Sequence, residues 1–263
     1  MGRIYTLVNQ KGGVGKTTTA INLGAYLALF GQRVLIVDID PQANATSSLG
    51  VDKQSVRGGI YEALLGGAPA AALVLQNPRL KLAILPSSPA LAGAEVELVN
   101  ELGREGRLRQ VIAPLEERYD YILIDCPPSL GLLTINGLMA AQDGVLIPVQ
   151  CEYLALEGLG DLTRTVKRVR SVLFPTLKVR GVILTMYDGR THLSEDVVSE
   201  VRKYFAEQVF ETIIPRSVRL AEAPSYGLPV SAYAPGSNAA KSYEALAREL
   251  LASDGVPVLE SVD

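Results

Sequence analysis

Asn9-Gln10-Lys11-Gly12-Gly13-Val14-Gly15-Lys16-Thr17-Thr18-Thr19 follows the apolar run Ile4 to Val8 and precedes a helical pattern. That order reads as a strand, a phosphate-cradling loop and a helix N-terminus, the layout of a nucleotide-binding P-loop. Glycines 12, 13 and 15 let backbone N–H groups face phosphate oxygens without interference from Cβ atoms. Lys16 is placed to reach β- and γ-phosphates, the Thr17 hydroxyl to ligate Mg²⁺, and Val14 and Thr18 to complete the loop. The stretch departs from the standard G-x-x-x-x-G-K-[ST] pattern, because Gln10 stands where the first glycine belongs and a second lysine, Lys11, opens the loop.

Outward from this loop, short apolar runs recur at Arg33 to Asp38, Leu80 to Leu85, Tyr121 to Asp125, Gly144 to Val149, Val179 to Thr185 and Phe210 to Ile214. They read as buried strands. Helical patterns fill the intervals: Thr17 to Phe30, ended by Gly31, then Leu91 to Leu102, Leu108 to Glu117, Leu130 to Ala141, Leu156 to Leu173, Ser194 to Ala206 and Ala239 to Ala252. Alternating strands and helices imply an α/β fold, a single domain over residues 1–252 with a mostly parallel twisted sheet flanked by helices on both faces. Residues 253–263 are acidic and lack helical periodicity, so a flexible tail is expected there. Gly58 to Ala72, rich in Gly and Ala, gives no clear pattern.

The 263 residues are 48% hydrophobic and 20% charged, enough for one large core and too ordered a composition for a disordered chain. No apolar run of about 18 residues is present for a membrane span, and no apolar leader precedes Lys11, so a cytoplasmic protein is expected. Cys126 and Cys151 are not closely spaced and read as reduced, buried thiols. The net charge of −3 argues against nucleic acid, but its distribution does not. Between Arg164 and Arg219 there are 11 Lys or Arg against 6 Asp or Glu, a net of +5 that leaves −8 for the rest.

Two carboxylate sites complete the chemistry. Tyr121 to Asp125 is an apolar strand ending in an acid, as a Walker B strand is, and in a parallel sheet Asp125 lands beside the P-loop, where it can hold Mg²⁺ through water. The second strand ends in Asp38-Ile39-Asp40-Pro41-Gln42-Ala43-Asn44, two carboxylates at period-2 spacing. Asp40 lies further past the strand end and is the better candidate to polarise a water for attack on the γ-phosphate, and to approach the metal.

The loop KGGVGKTT (residues 11–18), DIDPQAN (38–44), YILIDCPPS (121–129), PVQCEYLALEGL (148–159) and TIIPRSVRLAEAPSYGLPV (212–230) together resemble the ParA/Soj family of chromosome and plasmid partition ATPases, over essentially the whole chain. The resemblance implies an ATP/ADP- and Mg²⁺-dependent hydrolase with a deviant Walker A loop. It further implies an ATP-sandwich homodimer that binds double-stranded DNA without sequence preference, a ParB-type centromere-binding partner that stimulates hydrolysis, and association with the nucleoid. It gives Lys11 a catalytic role in trans, reaching the partner subunit's nucleotide, beside Lys16 and Asp40 in the catalytic set. By position in the family, Met186, Asp188 and Pro215 are expected near adenine, and Arg190, Arg219 and, more weakly, Arg216 at the DNA. The family commonly has Gly after DPQ, where this chain has Ala43, so a different switch-loop conformation is expected.

Two other readings share the loop. A MinD-type membrane-surface ATPase would carry a basic amphipathic C-terminal helix, whereas this tail is acidic and contains Pro257. A non-catalytic switch that binds ATP and DNA is the second, and Asp40 argues against it. An iron-sulphur reductase would need two cysteines per subunit at a dimer axis. The chain begins almost at its first strand, so no N-terminal helix-turn-helix domain is expected.

Overall fold

The computed structural model describes residues 2–153 and 155–258, with the side chains of residues 155–158 left out. Leu154, within the stretch 148–159, and the last five residues of the expected tail lie outside the described residues. In chain order the elements are β1 (Arg3–Leu7), α1 (Lys16–Leu29), β2 (Val34–Asp38), α2 (Asn44–Ser48), α3 (Ile60–Leu64), α4 (Ala70–Leu73), β3 (Leu75–Asn77), β4 (Leu82–Leu85), α5 (Leu91–Glu97), α6 (Arg107–Ile112), β5 (Tyr121–Asp125) and α7 (Leu132–Ala140). They continue with β6 (Gly144–Gln150), α8 (Ala155–Val172), β7 (Val179–Thr185), α9 (His192–Phe205), α10 (Val218–Glu222), α11 (Val230–Tyr233) and α12 (Asn238–Ser253).

The strands form one sheet in the order β3-β4-β2-β5-β1-β6-β7, parallel except for β3. Period-2 alternation sorts each strand's side chains onto opposite faces. Tyr5, Leu7, Val34, Ile36, Tyr121 and Leu123 pack beneath α1 and α12 in one buried cluster. Ile4, Leu35, Val37, Ile122 and Ile124 pack on the other face with Leu91, Leu108 and Ile112. Both faces are therefore apolar and covered, which is why these strands read as unbroken hydrophobic runs. Register does the rest: Leu7 pairs with Asp125 and Asp125 with Asp38, so the loop after β1 and the acids ending β2 and β5 emerge at one level.

The sequence places a strand at Phe210 to Ile214, and the structure does not. Its two ends reach β7, with Phe210 N–H donating to the Val182 carbonyl at 3.0 Å and Ile214 N–H to the Leu184 carbonyl at 2.9 Å. Between them the Glu249 carboxylate on α12 accepts from the Glu211 and Thr212 N–H groups at 2.7 and 3.0 Å, so the ladder is interrupted in the middle and no continuous strand forms. The helix expected over Leu91 to Leu102 ends at Glu97 and gives way to a 3₁₀ turn at Leu98–Asn100. The short, solvent-facing edge strand β3 has no apolar alternation to announce it. Among the described residues, no helix is long and apolar enough to cross a membrane.

The expected tail also begins later than residue 253. Asp254 follows α12 directly, and its side chain is only 2% exposed. Its carboxylate accepts from the Tyr5 hydroxyl at 2.8 Å, the Tyr121 hydroxyl at 3.0 Å and Arg180 Nη2 at 2.9 Å, with Arg3 Nε at 3.5 Å. Val256 and Val258 pack against the first core cluster. Burial, and then the neighbouring carboxylate, holds both phenols protonated well above the usual tyrosine range. Removing this acceptor strands two buried hydroxyls and a mostly buried guanidinium, so Asp254→Ala should cost about 3 kcal/mol in urea unfolding. A loss below about 0.5 kcal/mol would mean that the end of α12 is not anchored.

Candidate functional site

The loop after β1 turns sharply at Gly13 (φ +77°) and Gly15 (φ +89°), left-handed conformations that other residues adopt only under strain. Gly15 is the N-cap of α1, so the first-turn N–H groups open toward the loop. The Val14 side chain is buried, and its carbonyl accepts from the Thr185 hydroxyl at 2.8 Å, which ties the loop to the end of β7. Asn9 fixes the other side: its amide donates to the Pro148 carbonyl at 2.9 Å, and its Oδ1 accepts from Lys11 N–H at 3.0 Å.

Lys16 is buried, and its ammonium donates to the Lys11 carbonyl at 3.2 Å. Burial lowers its pKa, while the Asp125 and Asp40 carboxylates pull it back up. The Thr17 hydroxyl donates to Asp125 Oδ2 at 2.7 Å, whereas Asp125 Oδ1 is buried with no hydrogen-bond partner. Desolvation, followed by repulsion from Asp38, raises the Asp125 pKa well above the ordinary value.

The two acids of the second strand differ sharply. Asp38 is fully buried, with Oδ1 accepting from Asp40 N–H at 3.1 Å and Oδ2 from the Thr46 N–H and hydroxyl at 2.9 and 2.7 Å. Burial pushes its pKa up to about 6 against those bonds. Its oxygens are occupied in holding the loop and α2. Asp40 Oδ1 accepts from Gln42 N–H at 2.9 Å, and Oδ2 has no partner among the described residues. Asp40 lines a cavity of about 440 Å³ together with Gly12, Gly13, Gly15, Lys16, Thr17 and Thr18 from the loop, Asn44 and Ser48 from α2, and Pro128, Met186 and Pro224.

Gly15, Thr18 and Met186 also border a second cavity of about 390 Å³, so the two form a continuous cleft. Gln150, Thr185, Ile214, Pro215, Ser217, Leu220, Ala221 and Tyr243 line this outer part. It is an apolar slot with a few polar groups, the usual shape for a flat ring system. Met186 and Pro215, expected near adenine, both line this outer part. Asp188, expected beside them, lines neither cavity: Arg190 takes its carboxylate at 2.8 and 2.6 Å and holds its pKa down to about 2. Lys11 lines neither cavity as well, and its ammonium has no partner among the described residues. Pro128 belongs to Pro127-Pro128-Ser129, which directly follows the acid-ended strand and on sequence constrains the loop that must sense the γ-phosphate; Gln150 and Pro224 fall inside the motif stretches, but nothing in the sequence marked them individually. Tyr243, brought in by α12 with its hydroxyl 3.1 Å from that of Thr19, carried no signal at all.

The three arginines expected at DNA are exposed, and each is paired. Arg190 bonds Asp188, Arg216 Nη2 meets Glu152 Oε1 at 2.7 Å, and Arg219 Nη1 meets Glu222 Oε2 at 2.9 Å. Arg216 additionally borders the outer cavity. Its N–H donates to the Tyr187 carbonyl at 2.9 Å, which draws the 187–190 and 215–219 segments together. Cys126 and Cys151 are both buried and free, so neither presents a thiolate to a partner surface.

Ala43 stands where the family commonly has glycine. It sits buried at φ +53°, ψ +42°, the left-handed region that glycine favours, with its N–H donating to the Asp40 carbonyl at 2.8 Å. That conformation costs a residue with a Cβ about 1 kcal/mol. Ala43→Gly should therefore raise stability by about 0.5–1 kcal/mol in chemical denaturation; a loss of more than 1 kcal/mol would show that packing of the methyl outweighs the strain.

The AAA domain family model matches residues 2–179. Over 254 residues the chain is 55% identical to the chromosome partitioning protein ParA of Myxococcus xanthus, covering 97% of this chain and 89% of the relative. It is 52% identical over 253 residues to the sporulation initiation inhibitor protein Soj of Bacillus subtilis, covering 96% and 100%. Among solved structures, cobyrinic acid a,c-diamide synthase from Mycobacterium smegmatis with bound ADP and magnesium superposes with a TM-score of 0.86 at 37% identity, covering 100% of this chain and 99% of that one. With a P-loop, an acid-ended β5 and relatives this similar along nearly the whole chain, the protein belongs to the ParA/Soj family of P-loop ATPases.

Proposed function

We propose that this chain hydrolyses Mg-ATP, pairs with a second copy across the nucleotide, and in that state holds double-stranded DNA without sequence preference to segregate a chromosome or plasmid with a ParB-type partner. The observation that carries the reading is the pair of acceptors left open beside Lys16: Asp125 Oδ1, buried and partnerless, and Asp40 Oδ2. Asp125 and Asp40 face Lys16, and Asp38 in turn faces Asp125, an excess of carboxylates over the one lysine that suits a divalent cation. Among the described residues, no group of three His, Cys, Asp or Glu is arranged to hold a metal alone. The Thr17 hydroxyl, Asp40 and Asp125 would hold a cation here together with the nucleotide's phosphates.

Bound Mg²⁺ supplies neutralisation of phosphoryl charge. The chain supplies the rest. Loop N–H groups and Lys16 hold the phosphates, and the open Oδ2 of Asp40 accepts a proton from, and orients, the attacking water. Asp38 is unsuited to that task, because both its oxygens are engaged. The Lys11 ammonium, with no partner among the described residues of its own chain, is free to reach a second copy's phosphate, as an arginine finger does. The outer cavity takes adenine against Met186 and Pro215, and Asp188 has no part in it.

The arginine pairs fit a weak, displaceable DNA contact, since exposed ion pairs contribute about 0–1 kcal/mol and a phosphate can replace the carboxylate. Dimerisation doubles the face and lets a chain of net charge −3 hold a polyanion. Such a protein works in the cytoplasm on the nucleoid. A membrane-surface role finds no support: α12 buries Tyr243, Leu246 and Leu250, and Val256 and Val258 pack onto the core, so the described C-terminal end offers no spare apolar face.

Turnover measured with and without duplex DNA and a ParB-type protein should be slow at base and rise when both are present; turnover indifferent to both would reject the reading. Asp40→Ala should keep ATP-dependent DNA binding while losing at least about tenfold in turnover, and Lys16→Ala should lose nucleotide binding. Arg219→Glu, assayed as the ATP-bound dimer, should weaken DNA binding by about tenfold or more and flatten its salt dependence. Undiminished affinity would show that the DNA face lies elsewhere.

A further inference from the structure

One continuous segment, Pro215 to Val230, runs the length of the cleft. Leu220 and Ala221 line its outer part, and Pro224 lines the phosphate part. At Gly227 (φ +65°) the segment's main chain lies directly on Gly50 (φ +81°), just past α2. A Cβ at Gly227 would come within 2.7 Å of Gly50 Cα and 3.0 Å of its nitrogen, so two backbones touch with no side chain between them. Such a contact has no rotamer by which to absorb displacement. The far end is tied as well: Val230 N–H donates to Asn22 Oδ1, and the Asn22 amide donates to the Thr18 carbonyl, both at 2.7 Å.

Gly50 is itself coupled to the hydrolytic loop. α2 begins at Ala43, whose N–H holds the Asp40 carbonyl, and its Thr46 is clamped by Asp38. On the other side of the contact, α10 carries Arg219, and Arg216 directly precedes it. We infer that the Gly50–Gly227 contact is the joint through which the Asp40 loop and the arginine-bearing segment move together, making Gly227 a positioning residue for the coupling of hydrolysis to DNA. Loss of the γ-phosphate frees the Asp40 loop, α2 shifts, and the segment with Arg216 and Arg219 shifts with it. By linkage, DNA held on that segment biases the Asp40 loop in return. The DNA half of this coupling rests on the function proposed above.

The test uses the full chain with Gly227→Ala, Gly227→Asn and, as a control for backbone strain, Gly103→Ala. Asn accepts a left-handed φ but still carries a Cβ into Gly50. Gly103 has φ +71° with nothing within 4 Å of the place a Cβ would take, so its substitution strains the backbone without touching a neighbour. Both Gly227 variants should keep affinity for a fluorescent ATP analogue within about threefold and lose the stimulation of turnover by duplex DNA with a ParB-type protein by about tenfold or more, while Gly103→Ala keeps it. Stimulation intact in Gly227→Ala, or rescued by Gly227→Asn, overturns the joint.

Hydrogen exchange on the unmodified protein stands apart from both variant folding and DNA. Exchanging ADP for a non-hydrolysable ATP analogue should change protection of residues 44–50 and 224–230 together; change in one segment alone overturns the inference. Unmodified protein whose turnover ignores DNA and a ParB-type protein added together would fail the DNA reading, and the exchange result would still decide the joint.

Discussion

Buried negative charge governs the shape of the cleft. Sheet register sets Asp38 and Asp125 side by side, both fully buried and mutually repelling. Neither could stay there without a dedicated answer, because a carboxylate taken out of water needs hydrogen bonds or a counter-charge. Asp38 is answered by three donors from its own loop and α2, and those bonds draw that loop into its turn. Asp125 is answered by Thr17 and Lys16, and that need draws the first helix and its loop against β5. The two loops that enclose the phosphate cavity are thus folded by the same electrostatic demand, met in two ways. What remains unanswered, one oxygen on Asp125, lies where a cation's charge would be most welcome.

Much of this can be read along the chain, for physical reasons that differ by element. The first loop is legible because glycine, lysine and threonine at fixed offsets have few other uses, and β1, β2, β5, β6 and β7 because strands buried on both faces leave unbroken apolar runs. Asp40 can be preferred over Asp38 by reach alone; its open oxygen shows only in the folded chain. Phe210 to Ile214 misleads because apolarity reports burial and not a continuous ladder: its ends bond β7, but its middle donors are taken by Glu249, 38 positions beyond Glu211. Asp188 misleads for a local reason: an acid two residues before an arginine closes on it instead of turning toward a cleft. Ala43 is different again: its identity is plain in the sequence, but that it stands in the left-handed region and bears the strain shows only in the folded chain.

The same strands are fastened at both ends by polar groups. Tyr5 and Tyr121 meet Asp254 beneath β1 and β5, while the catalytic elements sit above. The end of α12, locked under the central strands, holds the lower half rigid, and motion is then expected at the upper rim. Ala43, Gly50 and Gly227, with left-handed backbone, lie there, with Met186 at φ +53° beside them. Non-glycine residues held at positive φ beside a ligand cleft, as Ala43 and Met186 are, are characteristic of sites that change state.

The surface arginines carry a consequence of their own. Because Arg190, Arg216 and Arg219 each hold a carboxylate, a phosphate that took one of these guanidiniums from its acid would leave that acid to gather cations from solution. If DNA binds on this face, as proposed above, the ions it sheds would be partly recaptured by the protein. Attachment would then be an exchange of partners with a small net yield per contact, shallower in its response to salt than the number of arginines implies. A molecule attached in that way would cling briefly at many places and firmly at none.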